Sequence, residues 1–297
     1  MIRIKKILVP VDFSEPSKQA VNYGLSLCLE FNARLILTHI SPYDAVVYLT
    51  AKTRLLELIP ADYREKINFE IIVKSGDVRE ELLGIVKDRD IDLVVMGSHG
   101  RSYLGRVLLG SVTERMLRKV NVPILTVSHL DSSRELHAPG PVPLRKLLYA
   151  TDLSGDSDAG LQFSIRLARG VDAHLTVVHV VQAMDGALLG LEGVGVVPDY
   201  VDEVRNEQAE RLNKTVALAS DGSIPITTVL AEGVPCESIL KLATEQKADL
   251  VIINLQDKGR MERALLGATA ERVIRTAPVP VLSLPLPATY FLHWEAA

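Results

Sequence analysis

Short apolar runs alternate with longer segments in which apolar residues recur every three or four positions. The runs Ile7-Leu8-Val9 and Leu93-Val94-Val95-Met96 contain no polar alternation, which is typical of strands covered on both faces. For the first 128 residues this pattern predicts strands at residues 5–12, 33–40, 69–74, 91–96 and 123–127, and helices at residues 15–31, 46–59, 78–89 and 111–120. Strands that alternate with helices predict an α/β fold with a doubly wound parallel sheet.

The pattern then repeats in the second half of the chain. Residues 145–152 (RKLLYATD) restate residues 5–12 (KKILVPVD) 140 positions later. Residues 248–254 restate residues 91–97, now 157 positions later. The separation grows after position 180, in an interval that holds a glycine-rich stretch. An internal repeat of this length predicts two tandem domains.

The repeat divides the chain into four parts: domain 1 (1–128), a linker (129–142), domain 2 (143–287) and a C-terminal tail (288–297). Pro139-Gly140-Pro141 indicates an exposed linker. The tail carries Tyr290, Phe291 and Trp294, which we expect to pack on a domain or partner surface. The glycine-rich residues 186–198 predict a mobile flap over the second pocket, or an insertion without function.

Composition narrows the class of protein. Of 297 residues, 47% are hydrophobic and 24% charged, as in soluble globular proteins. No apolar run approaches the roughly 20 residues of a membrane helix and no secretory signal is present, so we expect a cytoplasmic protein without a membrane or nucleic-acid partner. Residues 1–128 contain 18 Lys and Arg against 15 Asp and Glu, and the remainder contains 15 against 22. This imbalance fits an anionic ligand in the first half only.

The two cysteines lack the spacing of a disulfide framework or a zinc site. Cys28 is predicted in the core of the first helix. Cys236 is predicted in the first turn of a helix, where a structural role is favoured over an activated thiol.

The pattern that carries the most chemistry is G-x-x-G-x9-G-S, formed by Gly97, Gly100, Gly110 and Ser111 after an apolar strand. Glycines let backbone N–H groups face an anion, and a loop that ends at a helix presents the helix N-terminus to negative charge. Ser111 also fits a helix N-cap, with Glu114 completing an S-x-x-E capping box. Both interpretations can hold together.

Together with a strand that ends in Val11-Asp12 and with His39 in the second strand, this motif closely resembles the universal stress protein family. The resemblance covers residues 3–128 and, through the repeat, the second half. It implies two tandem Rossmann-like domains, binding of ATP or a related nucleotide (ADP or AMP) with Mg²⁺ in the N-terminal domain, and a regulatory role in the stress response.

The resemblance also implies roles for individual residues. Asp12 would approach the ribose or adenine, and Val11 and Ile40 would flank the base. The phosphate end would comprise the glycine loop and the following helix start: Gly97, His99, Gly100, Arg101, Gly110, Ser111, Val112 and Thr113. Alternatives remain: Asp12 as a helix cap, the loop as a tight turn without ligand, and His99 as an exposed loop residue. His39 and its counterpart His179 are predicted to be hydrogen-bonded core residues, and no catalytic or metal-binding residue is assigned.

The second repeat departs from this motif. Asn254 and Asp257 replace Gly97 and Gly100, and Ala268 replaces Ser111. Added Cβ atoms would crowd the loop and Asp257 would repel phosphate, so we expect no ATP in the second repeat.

Two other functions stay open: a slow ATPase or phosphoryl-transfer enzyme, and a protein-interaction scaffold that needs no nucleotide. The G-x-x-x-x-G-K-[ST] and S-G-G-x-D-S loops are absent from the sequence. The resemblance further implies that the two repeats pair as an intramolecular pseudo-dimer through residues 122–127 and 279–284. It leaves open a homodimer and an unknown regulatory protein partner.

Overall fold

The computed structural model describes residues 4–41, 48–98, 109–128, 142, 144–155, 157–182, 198–255 and 266–285. The strands of the first repeat are β1 (Lys6–Pro10), β2 (Arg34–Ser41), β3 (Asn68–Ser75), β4 (Leu93–Gly97) and β5 (Ile124–Val127). Its helices are α1 (Glu15–Phe31), α2 (Tyr48–Glu57), α3 (Ala61–Arg64), α4 (Val78–Asp88) and α5 (Ser111–Lys119). Every strand and helix predicted for this repeat is present, and the short α3 is an addition.

The second repeat follows the same order. Its strands are β6 (Lys146–Thr151), β7 (His174–Val181), β8 (Ile226–Glu232), β9 (Leu250–Asn254) and β10 (Val281–Leu284). Its helices are α6 (Ser157–Gly170), α7 (Pro198–Ala219), α8 (Pro235–Glu245) and α9 (Ala268–Thr276).

Local signals fix the ends of the helices. Helix α1 has a proline in its first turn and is followed by Asn32 as its C-cap. The left-handed backbone of Asn32 (φ 50°) directs the N–H of the next residue, Ala33, to the Cys28 carbonyl at 3.0 Å. Helix α4 begins after Asp77, whose carboxylate accepts hydrogen bonds from the N–H groups of Arg79 and Glu80. These helices match the predicted ranges because proline and aspartate mark their starts in the sequence.

The described strands form one ten-stranded sheet in the order β3-β2-β1-β4-β5-β10-β9-β6-β7-β8. All neighbours pair in parallel except β5 and β10, which are antiparallel, with Leu125 opposite Leu282. The hydroxyl of Thr126 also donates to the Val281 carbonyl at 3.1 Å. We call this β5–β10 pair the seam, and it joins the two strands predicted to pair.

In each repeat the strand order changes direction beside the first strand. β1 lies between β2 and β4, and β6 lies between β7 and β9. Ligands of open α/β sheets bind at such switch points, outside the carboxyl ends of the strands. The topology therefore provides one such crevice in each repeat.

Apolar side chains form a layer on each face of the sheet, and both layers include residues from both repeats. Tyr23 and Val177 belong to one layer, and Met116 and Val251 to the other. Cys28 and Cys236 are buried, and burial raises the pKa of both thiols. The structural role expected for each thiol fits this burial. Within the described residues, no helix is long and apolar enough to cross a membrane.

The end of the predicted linker differs from expectation. Val142 is buried, and its N–H donates to the hydroxyl of Ser26 in α1. The prediction of an exposed linker is therefore wrong at this residue, because an apolar side chain so close to β6 finds a place in the core. The rest of the linker (129–141), the flap at residues 186–197 and the tail (288–297) lie outside the described residues.

Candidate functional site

The first repeat places Val11 and Asp12 directly after β1. The Val11 N–H donates to the Thr38 carbonyl at 2.8 Å and so extends the pairing with β2. The Oδ1 atom of Asp12 accepts hydrogen bonds from the Ser14 N–H at 3.0 Å and the Ser14 hydroxyl at 2.5 Å. Ser14, not Asp12, occupies the N-cap position of α1. The half-buried carboxylate thus fixes the turn that precedes this helix.

The residue after each aspartate has a left-handed backbone. Phe13 has φ 65° and Leu153, its counterpart after Asp152, has φ 56°. Bulky residues rarely adopt this conformation, and such strain collects at functional sites. Because both repeats have this left-handed conformation, we infer that the shape of the turn is important for the site.

An arginine contacts this turn in each repeat, and the sequence analysis missed both. The guanidinium carbon of Arg54 lies 3.8 Å from the centroid of the Phe13 ring, and Arg211 donates to the Leu153 carbonyl at 2.8 Å. The two arginines stand 157 positions apart, the same separation as the glycine motifs. That shared separation is the signal that could have found them.

The predicted base-flanking residues are both buried. Val11 follows β1 directly, and Ile40 lies near the end of the neighbouring strand β2. His39, next to Ile40 in β2, donates a hydrogen bond from Nδ1 to the Val11 carbonyl. The distance is 2.7 Å. His179 makes the equivalent contact with the Thr151 carbonyl at 2.9 Å. Both histidines are hydrogen-bonded, as predicted. His39 is buried in the core, whereas His179 is only partly buried, so the prediction of a core position is wrong for His179.

The glycine loop begins and ends at the carboxyl end of β4. The Gly110 N–H donates to the Ser98 carbonyl at 2.9 Å, and the buried Thr113 hydroxyl donates to the Gly97 carbonyl at 2.8 Å. These two bonds hold the start of α5 against the end of β4. His99, Gly100 and Arg101 lie outside the described residues.

The predicted capping box at Ser111 is wrong. Gly110 is the N-cap of α5, Ser111 is the first helical residue, and the Glu114 carboxylate instead accepts two hydrogen bonds from Arg118. Gly110 takes the cap position because its N–H is bonded to Ser98, a contact between distant parts of the motif. The N–H groups of the first helical turn have no acceptor within the helix, so they can donate to a ligand at this end of the sheet.

The second repeat contains a cleft of about 610 Å³ at the corresponding position. It is lined by the ends of β6, β7 and β9 and by the starts of α8 and α9. Its described lining is Ala150, Thr151, Asp152, Ser154, Ser157, Val178, His179, Val180, Gln182, Pro235, Ile239, Ile253, Asn254, Gly267, Ala268, Thr269 and Ala270. The described side chain of Asn254 leaves this cleft open, and Asp257, which was expected to repel phosphate, lies outside the described residues.

Asn254 is accommodated by two further differences between the repeats. Its amide nitrogen donates to the Tyr149 hydroxyl at 2.9 Å, and that hydroxyl donates to the Ser157 carbonyl at 2.8 Å. Burial raises the pKa of Tyr149, so the hydroxyl remains a donor. Asn254 also lies against Gly160, where a Cβ would come within 2.3 Å of its Oδ1. In the first repeat the corresponding residues are Val9, Ala20 and Gly97.

The model of the universal stress protein family matches residues 3–128 and 143–285. The chain belongs to this family. Family membership supports a role in the stress response.

Relatives and solved structures agree with this assignment. A universal stress protein of Methanocaldococcus jannaschii is 33% identical over 143 residues, covering 48% of this chain and 83% of the relative. One from Bacillus subtilis is 28% identical over 142 residues, covering 46% and 96%. The crystal structure of a universal stress protein from Archaeoglobus fulgidus covers 95% of this chain and 97% of its own, with TM-score 0.68 and 22% identity. At that identity the structure supports the fold alone: tandem, Rossmann-like universal stress domains.

Proposed function

We propose that the first repeat binds an adenine nucleotide, ATP or the related ADP or AMP, and that the protein acts as a regulatory module in the stress response. The observation that carries this proposal is the attachment of the start of α5 to the carboxyl end of β4. The Gly110–Ser98 and Thr113–Gly97 hydrogen bonds hold the start of α5 at the switch point beside Asp12. A helix N-terminus and a carboxylate at one switch point suit a ligand with both phosphates and hydroxyl groups.

Each end of the nucleotide would meet different groups. Asp12 would accept hydrogen bonds from ribose hydroxyls, and Val11 and Ile40 would form apolar walls for the base. The backbone N–H groups of Ser111, Val112 and Thr113, with the exposed Ser111 hydroxyl, would donate to phosphate oxygens. The Gly110 N–H is engaged by Ser98, so we assign Gly110 to the shape of the site. Gly97, His99, Gly100 and Arg101 complete the proposed set.

The described residues of this site fit Mg²⁺ only if the phosphates of the nucleotide coordinate it. In the part of the chain that the structure describes, no three His, Cys, Asp or Glu side chains cluster to hold a metal ion. Magnesium commonly binds through substrate phosphates and keeps several waters. We therefore propose that a cation here would be carried by the nucleotide, where it would neutralise phosphate charge.

Isothermal titration of the full chain with ATP tests this proposal. We expect about one ATP per chain, because only the first repeat keeps the glycines and Ser111. Asp12→Asn should weaken ATP binding about tenfold, the effect of losing a charge-assisted hydrogen bond of about 1.4 kcal/mol. Asp62→Asn is the matched control, since Asp62 is exposed on α3 of the same repeat. Two equal sites, or full affinity in a folded Asp12→Asn variant, would refute the proposal.

A further inference from the structure

We propose that Arg54 is a positioning residue of the first repeat, which holds the turn around Asp12 and thereby sets the affinity for nucleotide. Arg54 is an exposed residue of α2, and it acts through its neighbours instead of touching the nucleotide. The inference rests on the proposed function for its effect on affinity, because that proposal assigns Asp12 to the ribose hydroxyls. Its effect on the turn is independent of any ligand.

Three side chains form a stack beside this turn. The guanidinium carbon of Arg54 lies 3.8 Å from the centroid of the Phe13 ring. The centroid of that ring lies 4.8 Å from the centroid of the His39 ring, at an interplanar angle of 46°. His39 in turn donates from Nδ1 to the Val11 carbonyl at 2.7 Å. One stack that begins at Arg54 therefore contacts the residues on both sides of Asp12.

The turn needs such support because Phe13 has a left-handed backbone, with φ 65°. This conformation is unfavourable for a bulky residue and persists only where surrounding contacts hold it. A cation over the face of an aromatic ring is attracted by the π electrons, so Arg54 stabilises Phe13 in this conformation. Asp12 Oδ1 accepts from the Ser14 N–H at 3.0 Å, which places Phe13 inside the same small turn. A shift of Phe13 would therefore move the carboxylate.

The second repeat supports the equivalent turn through a different contact. Leu153, which follows Asp152, also has a left-handed backbone, with φ 56°, but it has no ring. Arg211 donates directly to the Leu153 carbonyl at 2.8 Å. The two arginines thus contact different atoms of the same turn. What the repeats share is the support of the turn, which favours this role over an incidental aromatic contact of Arg54.

Amide hydrogen exchange of the full chain without nucleotide tests the support directly. The reporter is the Ser14 N–H, because its hydrogen bond to Asp12 opens when the turn loosens. We expect Arg54→Ala to lower its protection about two- to fivefold, the effect of one exposed cation–π contact. The N–H of the fully buried Leu8 in β1 should keep its protection, which separates local loosening from loss of the fold. Arg54→Lys should restore most of the protection and Arg54→Met should not, since only lysine keeps a cation over the ring.

Titration with ATP separates positioning from direct contact. Arg54→Ala should weaken ATP binding about two- to fivefold in the native chain, but it should add little to Asp12→Asn, because the carboxylate that it positions is already lost. Fully additive losses would show that Arg54 acts on the nucleotide independently of Asp12 and would overturn the inference. Lys52→Ala is the matched control, because it removes another exposed cation of α2, about 200° around the helix. It should change neither ATP affinity nor exchange at Ser14.

The two readouts distinguish this inference from the proposed function. Failure of the native chain to bind ATP would refute the proposed function, and the exchange at Ser14 would still decide whether Arg54 holds the turn. Unchanged exchange in Arg54→Ala, or equal recovery by lysine and methionine, would overturn the inference.

The second repeat provides an internal comparison. Arg211→Ala should lower the protection of the Ser154 N–H, which donates to Asp152 Oδ1 at 3.0 Å, and should leave ATP affinity unchanged. Unchanged exchange at Ser154 would contradict the shared role of the two arginines.

Discussion

At the scale of single residues, the second repeat has changed as a set. Considered alone, Asn254 would only remove a glycine of the phosphate motif from the second repeat. In the fold it contacts Tyr149 and Gly160, which also differ from their counterparts Val9 and Ala20. The three differences fit one another sterically and through hydrogen bonds, so the site has been rebuilt around the asparagine.

Gly160→Ala tests this fit. A Cβ at position 160 would lie 2.3 Å from Asn254 Oδ1 and 2.6 Å from the Tyr149 hydroxyl. We expect the free energy of unfolding, measured in urea, to fall by about 1–3 kcal/mol, as for other overpacked sites. Gly84→Ala in α4 is the control, because nothing lies within 4 Å of its added Cβ. That variant should gain about 0.5–1 kcal/mol from helix propensity.

The double variant Gly160→Ala/Asn254→Gly restores the residues of the first repeat at both positions. We expect it to recover part of the stability lost by Gly160→Ala, because the clash with the amide is removed while the contact with the Tyr149 hydroxyl remains. Additive losses in the double-mutant cycle would show that the two residues do not interact.

Contacts between distant residues explain what the sequence could not predict about the site. The ranges of the strands and helices of the first repeat followed from local pattern, and so did the hydrogen bonds of the two histidines. The cap of α5 depends on a bond from Gly110 to Ser98, and the fate of Asn254 depends on Tyr149, 105 residues away. The motif gives residue types and their spacing, and neither of these hydrogen bonds can be deduced from spacing alone. The arginines at the strained turns could have been predicted from their shared separation of 157 positions. That prediction requires an alignment of α2 with α7, whose sequences differ.

At the scale of secondary-structure elements, the seam offers a matched pair of hydroxyl groups. Thr126 on β5 donates to the Val281 carbonyl, whereas the buried Ser283 hydroxyl on β10 has no hydrogen-bond partner among the described residues. Thr126→Val should therefore lower the free energy of unfolding by about 1 kcal/mol. Ser283→Ala should leave it unchanged or raise it, because the lost hydroxyl was unsatisfied. Thermal denaturation of the two variants tests this prediction. A Ser283→Ala variant that is less stable than the Thr126→Val variant would contradict the hydrogen bonding of the seam.

At the scale of the whole molecule, the sheet and both apolar layers run through the two repeats. We expect one cooperative unfolding transition instead of two. Leu282→Ala at the seam should cost about 2–5 kcal/mol, since Leu282 is only 3% exposed. It should also reduce hydrogen-exchange protection in β1 and β6 alike. Leu218→Ala, at a position that is 80% exposed, should change neither quantity. Separate melting of the two halves would mean that the seam does not couple them.

The antiparallel direction of the seam makes the ligand crevices of the two repeats open in opposite directions. All strands of the first repeat point one way and all strands of the second point the other way, because only the β5–β10 pair is antiparallel. The two crevices therefore open at opposite rims of the sheet, and no small ligand can touch both. A partner that recognises one rim leaves the other free, so a single chain presents two chemically different ends that can be occupied independently.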